Sequence, residues 1–404
     1  MAALPFAGRH PLPAVAVVWL LGVSQIVGYG TLYYSFAILA RNAAPALGWP
    51  EPWLFGAFSL GLLVGGLVAH EVGKRMDRHS AGAVMTLGSI VAAAALLVAG
   101  LAPNGMVFAA AIVLTQVAGT LVLYDAAFTA LVQVAGASAR ARINHLTLIA
   151  GFASTIFWPL TAWLDAVVGW RTAYVAFAAA TLLVCVPIHA LLAQRRAGAR
   201  AATPAATAPT EPAVPHPAAP ASAMWFATAG FALSGFALSA VLAQMVPLLT
   251  AVGLGASALL VSTLFGPAQV LVRFANLLAG AARHPVFPAL LALALLPAAI
   301  AVLAFGAPAL VAAVLFAVML GFGSGLKSIV HGSLPLALFG PDAYGARLGL
   351  MASVRQVLAS VAPFVLATLI EAVGVRPALW LVAGVGLLGL ACLVQVARSV
   401  RPAH

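Results

Sequence analysis

Runs of about twenty apolar residues recur from one end of this chain to the other. An α-helix rises about 1.5 Å per residue, so each run is long enough to cross the roughly 30 Å hydrocarbon core of a bilayer. In hydrocarbon every backbone N–H and C=O must find a partner inside the protein, which leaves helices or a closed barrel. Barrel strands alternate in polarity over about ten residues, and these runs are continuous. Composition excludes the remaining possibility, a set of core helices in a soluble protein. With 64% hydrophobic and 7% charged residues over 404 positions, the chain has too little polar surface to cover such a core. The fold class is therefore an all-α membrane protein.

Twelve spans are expected, at roughly 12–40, 52–72, 82–102, 105–132, 143–168, 171–193, 223–251, 256–281, 285–305, 308–338, 344–373 and 375–398. Between the sixth and seventh, residues 194–222 are rich in Ala and Pro and almost free of large apolar side chains, so they cannot build a core and read as a flexible linker. The linker divides the chain into an N-terminal six-helix bundle (1–193) and a C-terminal one (223–404). Basic residues support the count. One set of alternate loops holds Arg9, Lys74, Arg75, Arg78, Arg140, Arg142, Arg195, Arg196, Arg200, Arg283, Arg347, Arg398 and Arg401, and the opposite set only Arg41, Arg171 and Arg376. By the positive-inside rule the linker and both termini face the cytoplasm, and the expected location is the plasma (inner) membrane.

The +11 net charge lies in short clusters between spans, which does not fit a nucleic-acid partner. Cys185 and Cys392 occupy separate apolar runs and read as packing residues. There is no zinc spacing, no phosphate-cradling Gly-Lys-Ser/Thr loop and no nucleophile elbow, so neither an enzyme nor a metal or other cofactor is expected, and ATP-driven transport within this chain is disfavoured.

Polar groups inside the spans are the functional candidates, because a charge there needs a partner, water or a task. Arg273, Lys327 and Arg355 are the basic residues assigned to spans, all in the second half. Lys327 and His331 are four apart and share a helix face. A carboxylate is gripped well by Arg, so Arg273 and Arg355 are expected to form a clamp with Lys327 at its edge; bonding to helix carbonyls or water is the bland alternative. His331 is a candidate titrating group. In span one Gln25, Tyr29 and Tyr33 recur every four residues and are expected to line one face, with Trp158 in span five and Gln269 in span eight as further liners.

The ten residues Gly73-Lys-Arg-Met-Asp77-Arg78-His-Ser-Ala-Gly82 resemble the signature of the major facilitator superfamily in the loop joining spans two and three. Gly73, Asp77 and Arg78 stand in place; Ser80 replaces a Gly and Ala81 a basic residue. The resemblance implies two six-helix bundles rocking about a central site, with Gly73, Asp77 and Arg78 in conformational gating. It further implies that Asp77 meets the start of span eleven near Tyr344–Arg347. It also implies that Asp125, the acid placed inside a span, pairs structurally with Arg78, with a proton-carrying role as the alternative. Cationic residues in spans eight and eleven are similar to the monocarboxylate and oxalate/formate branch, although Gln269 stands where monocarboxylate members often have Asp.

These features converge on a monomeric secondary transporter of a small organic anion, monocarboxylate-like, with a proton or an exchanged anion as coupling partner. The alternatives are an exporter of hydrophobic drugs or metabolites and a non-transporting sensor on the same scaffold.

Overall fold

A computed structural model describes residues 13–136, 139–202, 219–279 and 284–400. Among them there is helix and turn but no strand. Eleven stretches are long and apolar enough to cross a membrane. One of them, Ala139–Gln194, contains two spans, because Gly169 turns the chain at φ 77°, ψ 161°. Twelve spans result. The side where span one begins and span twelve ends is called here the near face, the opposite side the far face.

Some boundaries differ from the hydropathy reading. Span two continues as helix Glu51–Arg78, so Gly73, Asp77 and Arg78 lie on a helix and not in a loop. Lys74 and Arg75 pair with Glu71 one turn back, at 3.8 and 3.5 Å, and the basic residues suit the negative end of the helix dipole. The segment expected to be linker from 194 is still helical to Ala202, while 203–218 lie outside the described residues.

Breaks interrupt the spans around mid-membrane. Span one passes through a π-turn at Gly30–Tyr34. Span four is two helices, Gly105–Val122 and Tyr124–Ala135, joined by an extended Leu123. Span five restarts at Ala153 after Ala139–Ala150, and span eight is split into Ser257–Thr263 and Phe265–Leu278. Freed backbone groups find side-chain partners, as the membrane interior demands. Pro363 in span eleven cannot donate to Ala359; instead Ser239 Oγ donates to the Ala359 carbonyl at 2.8 Å, and Gln244 Nε2 to the Pro363 carbonyl at 2.6 Å.

The two halves repeat a structural device. Arg171, at the start of span six, donates to the Ala102 carbonyl at 2.7 Å; Arg376, at the start of span twelve, donates to the Ala307 carbonyl at 2.6 Å. Both carbonyls precede a Pro, and both Arg residues follow a left-handed glycine, Gly169 or Gly374. Equivalent positions are 205 residues apart in each case (102 to 307, 171 to 376). Parallel repeats of this kind place the working site between the halves.

The buried cores show how the halves meet. Toward the far face each half has its own core, one drawn from Leu32 to Ala178 and one from Ala237 to Ala383. Toward the near face a single cluster joins Val72, Met76, Phe128 and Leu131 of the first half to Leu336, Tyr344 and Leu348 of the second. The halves are sealed together at the near face.

Candidate functional site

The seal is built on close backbone approach. A Cβ placed on Gly73 would lie 2.1 Å from the Gly345 carbonyl oxygen, and one on Gly349 would lie 2.5 Å from the Ala69 carbonyl oxygen. Spans two and eleven therefore touch where only glycine fits. Asp77 completes the contact: Oδ1 accepts from the Gly345 N–H at 2.9 Å and Oδ2 from the Ala346 N–H at 2.7 Å. Those are orphan donors at the N-terminus of helix Tyr344–Val373, where a carboxylate is favoured by both hydrogen bonding and the helix dipole. Arg347 holds the preceding turn by donating to the Phe339 and Asp342 carbonyls. Asp77 thus sits against the segment that the resemblance implied.

An Asp77→Asn substitution tests the strength of this contact. An amide offers one acceptor oxygen in place of two and loses the charge, so the near face should open more often, by roughly tenfold for ~1.5 kcal/mol of lost charged hydrogen bonding. The measurement is the alkylation rate, in a Cys185→Ala, Cys392→Ala background, of a cysteine replacing the buried near-face Ala130. An unchanged rate would remove Asp77 from the seal.

Arg78 does not do what was expected of it. It is exposed, with no hydrogen bond or ion pair among the described residues, and Asp125 bonds elsewhere. The reason is depth. Asp125 lies ten residues before the end of its helix, about 15 Å inside the near face by helical rise. Its carboxylate reaches across to the second half, with Oδ1 accepting from His331 Nε2 at 2.9 Å and Oδ2 from Arg355 at 3.3 Å. It also sits in the first turn of the helix that restarts after Leu123, at the positive end of the helix dipole.

Lys327, His331 and Arg273 are each only 7% exposed. Asp125 and Arg355 keep 23% and 29% of their side-chain surface accessible although both are mid-span. The Lys327 ammonium lies beside the Arg355 chain, both against Gly235. It has no hydrogen-bond or ion-pair partner among the described residues. Arg273 crosses to span five, donating to the Thr147 carbonyl at 3.3 Å; Gly151 leaves the room, since a Cβ there would be 2.5 Å from the guanidinium. The Nε atoms of Arg273 and Arg355 and Nδ1 of His331 are buried without partners. Of the three cations, Arg355 shares an acid, Arg273 touches a carbonyl, and Lys327 is unaccompanied. The acid that sequence reading kept apart from this group, Asp125, is at its centre.

The first half presents aromatic rings. Tyr29 packs on Tyr124 at 4.7 Å, Tyr33 edge-on to Tyr34 at 5.5 Å, and Trp158 edge-on to Tyr34 at 5.9 Å. Tyr34 and Tyr124 lie within electrostatic range of Arg273. Neither was singled out from sequence; the π-turn brings Tyr34 into the group, and Tyr124 adjoins the one mid-span acid. Gln25 is not a liner. It is fully buried and donates at 2.8 Å to the Val122 carbonyl, which the break at Leu123 frees. Gln269 is half-buried and donates to Ser324 Oγ at 2.8 Å within the second half.

The family description Major Facilitator Superfamily matches residues 18–363. Among solved structures, the human organic anion transporter MFSD10 (TETRAN) superposes with a TM-score of 0.72 at 18% identity, covering 94% of this chain and 98% of that one. The transporter FucP in its outward conformation gives 0.66 at 16% identity, covering 96% and 100%. A variant of the E. coli fucose:proton symporter FucP gives 0.65 at 18% identity, covering 98% and 100%. Among curated protein sequences none matches. At these identities the structural likeness is one of fold.

Proposed function

The chain belongs to the major facilitator superfamily, and from that premise we propose that this membrane transporter carries a small organic anion, of the monocarboxylate kind, between its two helical halves. The bundles taken as 1–193 and 223–404 rock about the group formed by Asp125, Lys327, His331 and Arg355. Near-face basic loops support a cytoplasmic near face in the plasma membrane, with the present state open to the outside. A proton or an exchanged anion supplies the coupling, and the working unit is the monomer.

One observation carries the reading: a buried lysine, Lys327, with no hydrogen-bond or ion-pair partner among the described residues, beside a guanidinium whose acid is shared. Burying an unpaired ion costs several kcal/mol, and a carboxylate entering between Lys327 and Arg355 removes that cost. Arg355 has donors to spare, Nε among them, and a guanidinium can serve two carboxylates at once. Arg273 and the tyrosine hydroxyls would orient the rest of the molecule.

The aromatic wall of Tyr29, Tyr33, Tyr34, Tyr124 and Trp158 favours a second reading, export of hydrophobic compounds, for which rings suffice. Lys327→Met separates the two, because it keeps the length and removes the charge. In proteoliposomes offered a panel of short organic anions, uptake should fall by roughly ten- to a hundredfold, the equivalent of ~1.5–3 kcal/mol for a lost charged hydrogen bond. Full uptake in that variant would sink the anion reading, and transport of lipophilic compounds by both forms would establish the second.

A further inference from the structure

The repeat relation of 205 residues pairs span two with span eight and span eleven with span five. Spans two and eleven touch through Gly73, Gly345 and Gly349. The equivalent positions between spans eight and five are Leu278, Arg140 and Asn144, and position 282, the counterpart of Asp77, is Ala; that position lies outside the described residues. Side chains thus stand where the first interface has none. The two spans pack less closely here than spans two and eleven do, and a cavity of about 290 Å³ remains between the halves near the near face. That is room for about ten water molecules by liquid volume.

The lining is polar on one side and apolar on the other. Arg140 stands at the start of span five, at headgroup level, with Asn144 one turn deeper and Asn276 facing from span eight. Ser333, only 4% exposed, also lines the space. The side chains of Asn144, Asn276 and Ser333 have no hydrogen bond among the described residues. Phe287 and Leu291 form the outer wall and are 63% and 53% exposed, so the cavity adjoins the surface that lipid covers. His284, on the adjoining loop, accepts from the Val286 N–H through Nδ1. Burial, and then the charge of Arg140, hold its imidazole pKa below the usual value, so it is neutral beside the charged Arg140 at physiological pH.

We infer that this cavity is a binding site for an anionic phospholipid of the near-face leaflet, its phosphate at Arg140, Asn144 and Asn276 and its upper acyl chain along Phe287 and Leu291. Guanidinium and amide donors match a phosphate, and an occupant entering past exposed Phe and Leu must be amphipathic. The walls come from both halves, so the lipid acts as the filler that glycine contacts make unnecessary on the opposite side. It therefore stabilises the near-closed state, and the inference does not depend on what the central site carries.

The test is native mass spectrometry of the purified full chain with phosphatidylglycerol, phosphatidylcholine or soluble glycerol phosphate added. Phosphatidylglycerol should be retained at least tenfold more than phosphatidylcholine, and glycerol phosphate at tenfold excess should not displace it. Ala275→Trp, at an exposed position that points bulk into the cavity, and the milder Asn276→Ala should each lower retention severalfold without changing thermal stability in lipid-free detergent. Equal retention of the two lipids, displacement by glycerol phosphate, or unchanged retention in both variants would each overturn the assignment.

Discussion

Arg355→Gln is expected to remove anion transport and to loosen the protein at once. The guanidinium balances the Asp125 carboxylate at 3.3 Å, and its side chain lies with Lys327 against Gly235. A Gln keeps hydrogen bonding but leaves Asp125 with His331 as its remaining partner among the described residues. Loss of a charge-assisted bond in this setting corresponds to about 1.5–3 kcal/mol, hence roughly ten- to a hundredfold in binding. Thermal unfolding in detergent should shift down as well, because removing one member of a partly buried pair leaves the other exposed to a poor solvent. The double variant Asp125→Asn, Arg355→Gln separates the two effects. It should recover much of the stability, since neither member of the pair is left without the other, and recover none of the transport. Strict additivity of the single variants in stability would mean that Asp125 and Arg355 are not coupled.

The second large effect comes from a single methyl group. Gly73→Ala puts a Cβ 2.1 Å from the Gly345 carbonyl oxygen, and that neighbour is backbone, which cannot rotate away. Overpacking of a tight contact costs about 1–3 kcal/mol. Here the protein can avoid the cost by leaving the near-closed state. The expected outcome is a folded protein whose spans two and eleven are separated at the near face. Paired spin labels at the exposed near-face position Arg78 and at the loop position Asp342 should report a longer distance than in the unsubstituted chain. An unchanged distance distribution would show that the two helices slide to absorb the methyl group and that the glycine does not control the seal.

The spans and their number were legible because each rests on local pattern, run length and charge placement; the Asp77 contact was implied by the resemblance that a ten-residue signature carries. The partner of Asp125 was not legible. Span four breaks at Leu123 without a Pro or Gly there, and the carbonyl it frees is satisfied by Gln25 from another span. Such a break is set by tertiary contacts, so the depth and direction of Asp125 could not be read along the chain. The same holds for Gln25, whose spacing from Tyr29 matched a shared face but whose amide was needed inside the bundle. Arg171 and Arg376 counted in the topology argument as far-side charges, yet both are committed to backbone carbonyls. Their equal offset from an Ala-Pro pair was present in the sequence as the sign of a repeated half.

The near-face cluster that joins the halves has a thermal consequence. Phe128, Met76 and Leu131 pack there against Leu336, Tyr344 and Leu348. In the proposed rocking apart of the halves at this face, those side chains would meet water and not lipid. Newly hydrated apolar surface raises heat capacity, so the exchange between states should carry a positive heat-capacity change of the kind ordinarily seen in unfolding. The ratio of the two states then follows a curve with temperature, and van't Hoff plots of spin-label populations should bend. Warming and cooling away from the temperature at which the near-closed state is most stable would both favour the near-open state, which makes the transport cycle itself a thermometer of how much oil the protein must wet at each turn.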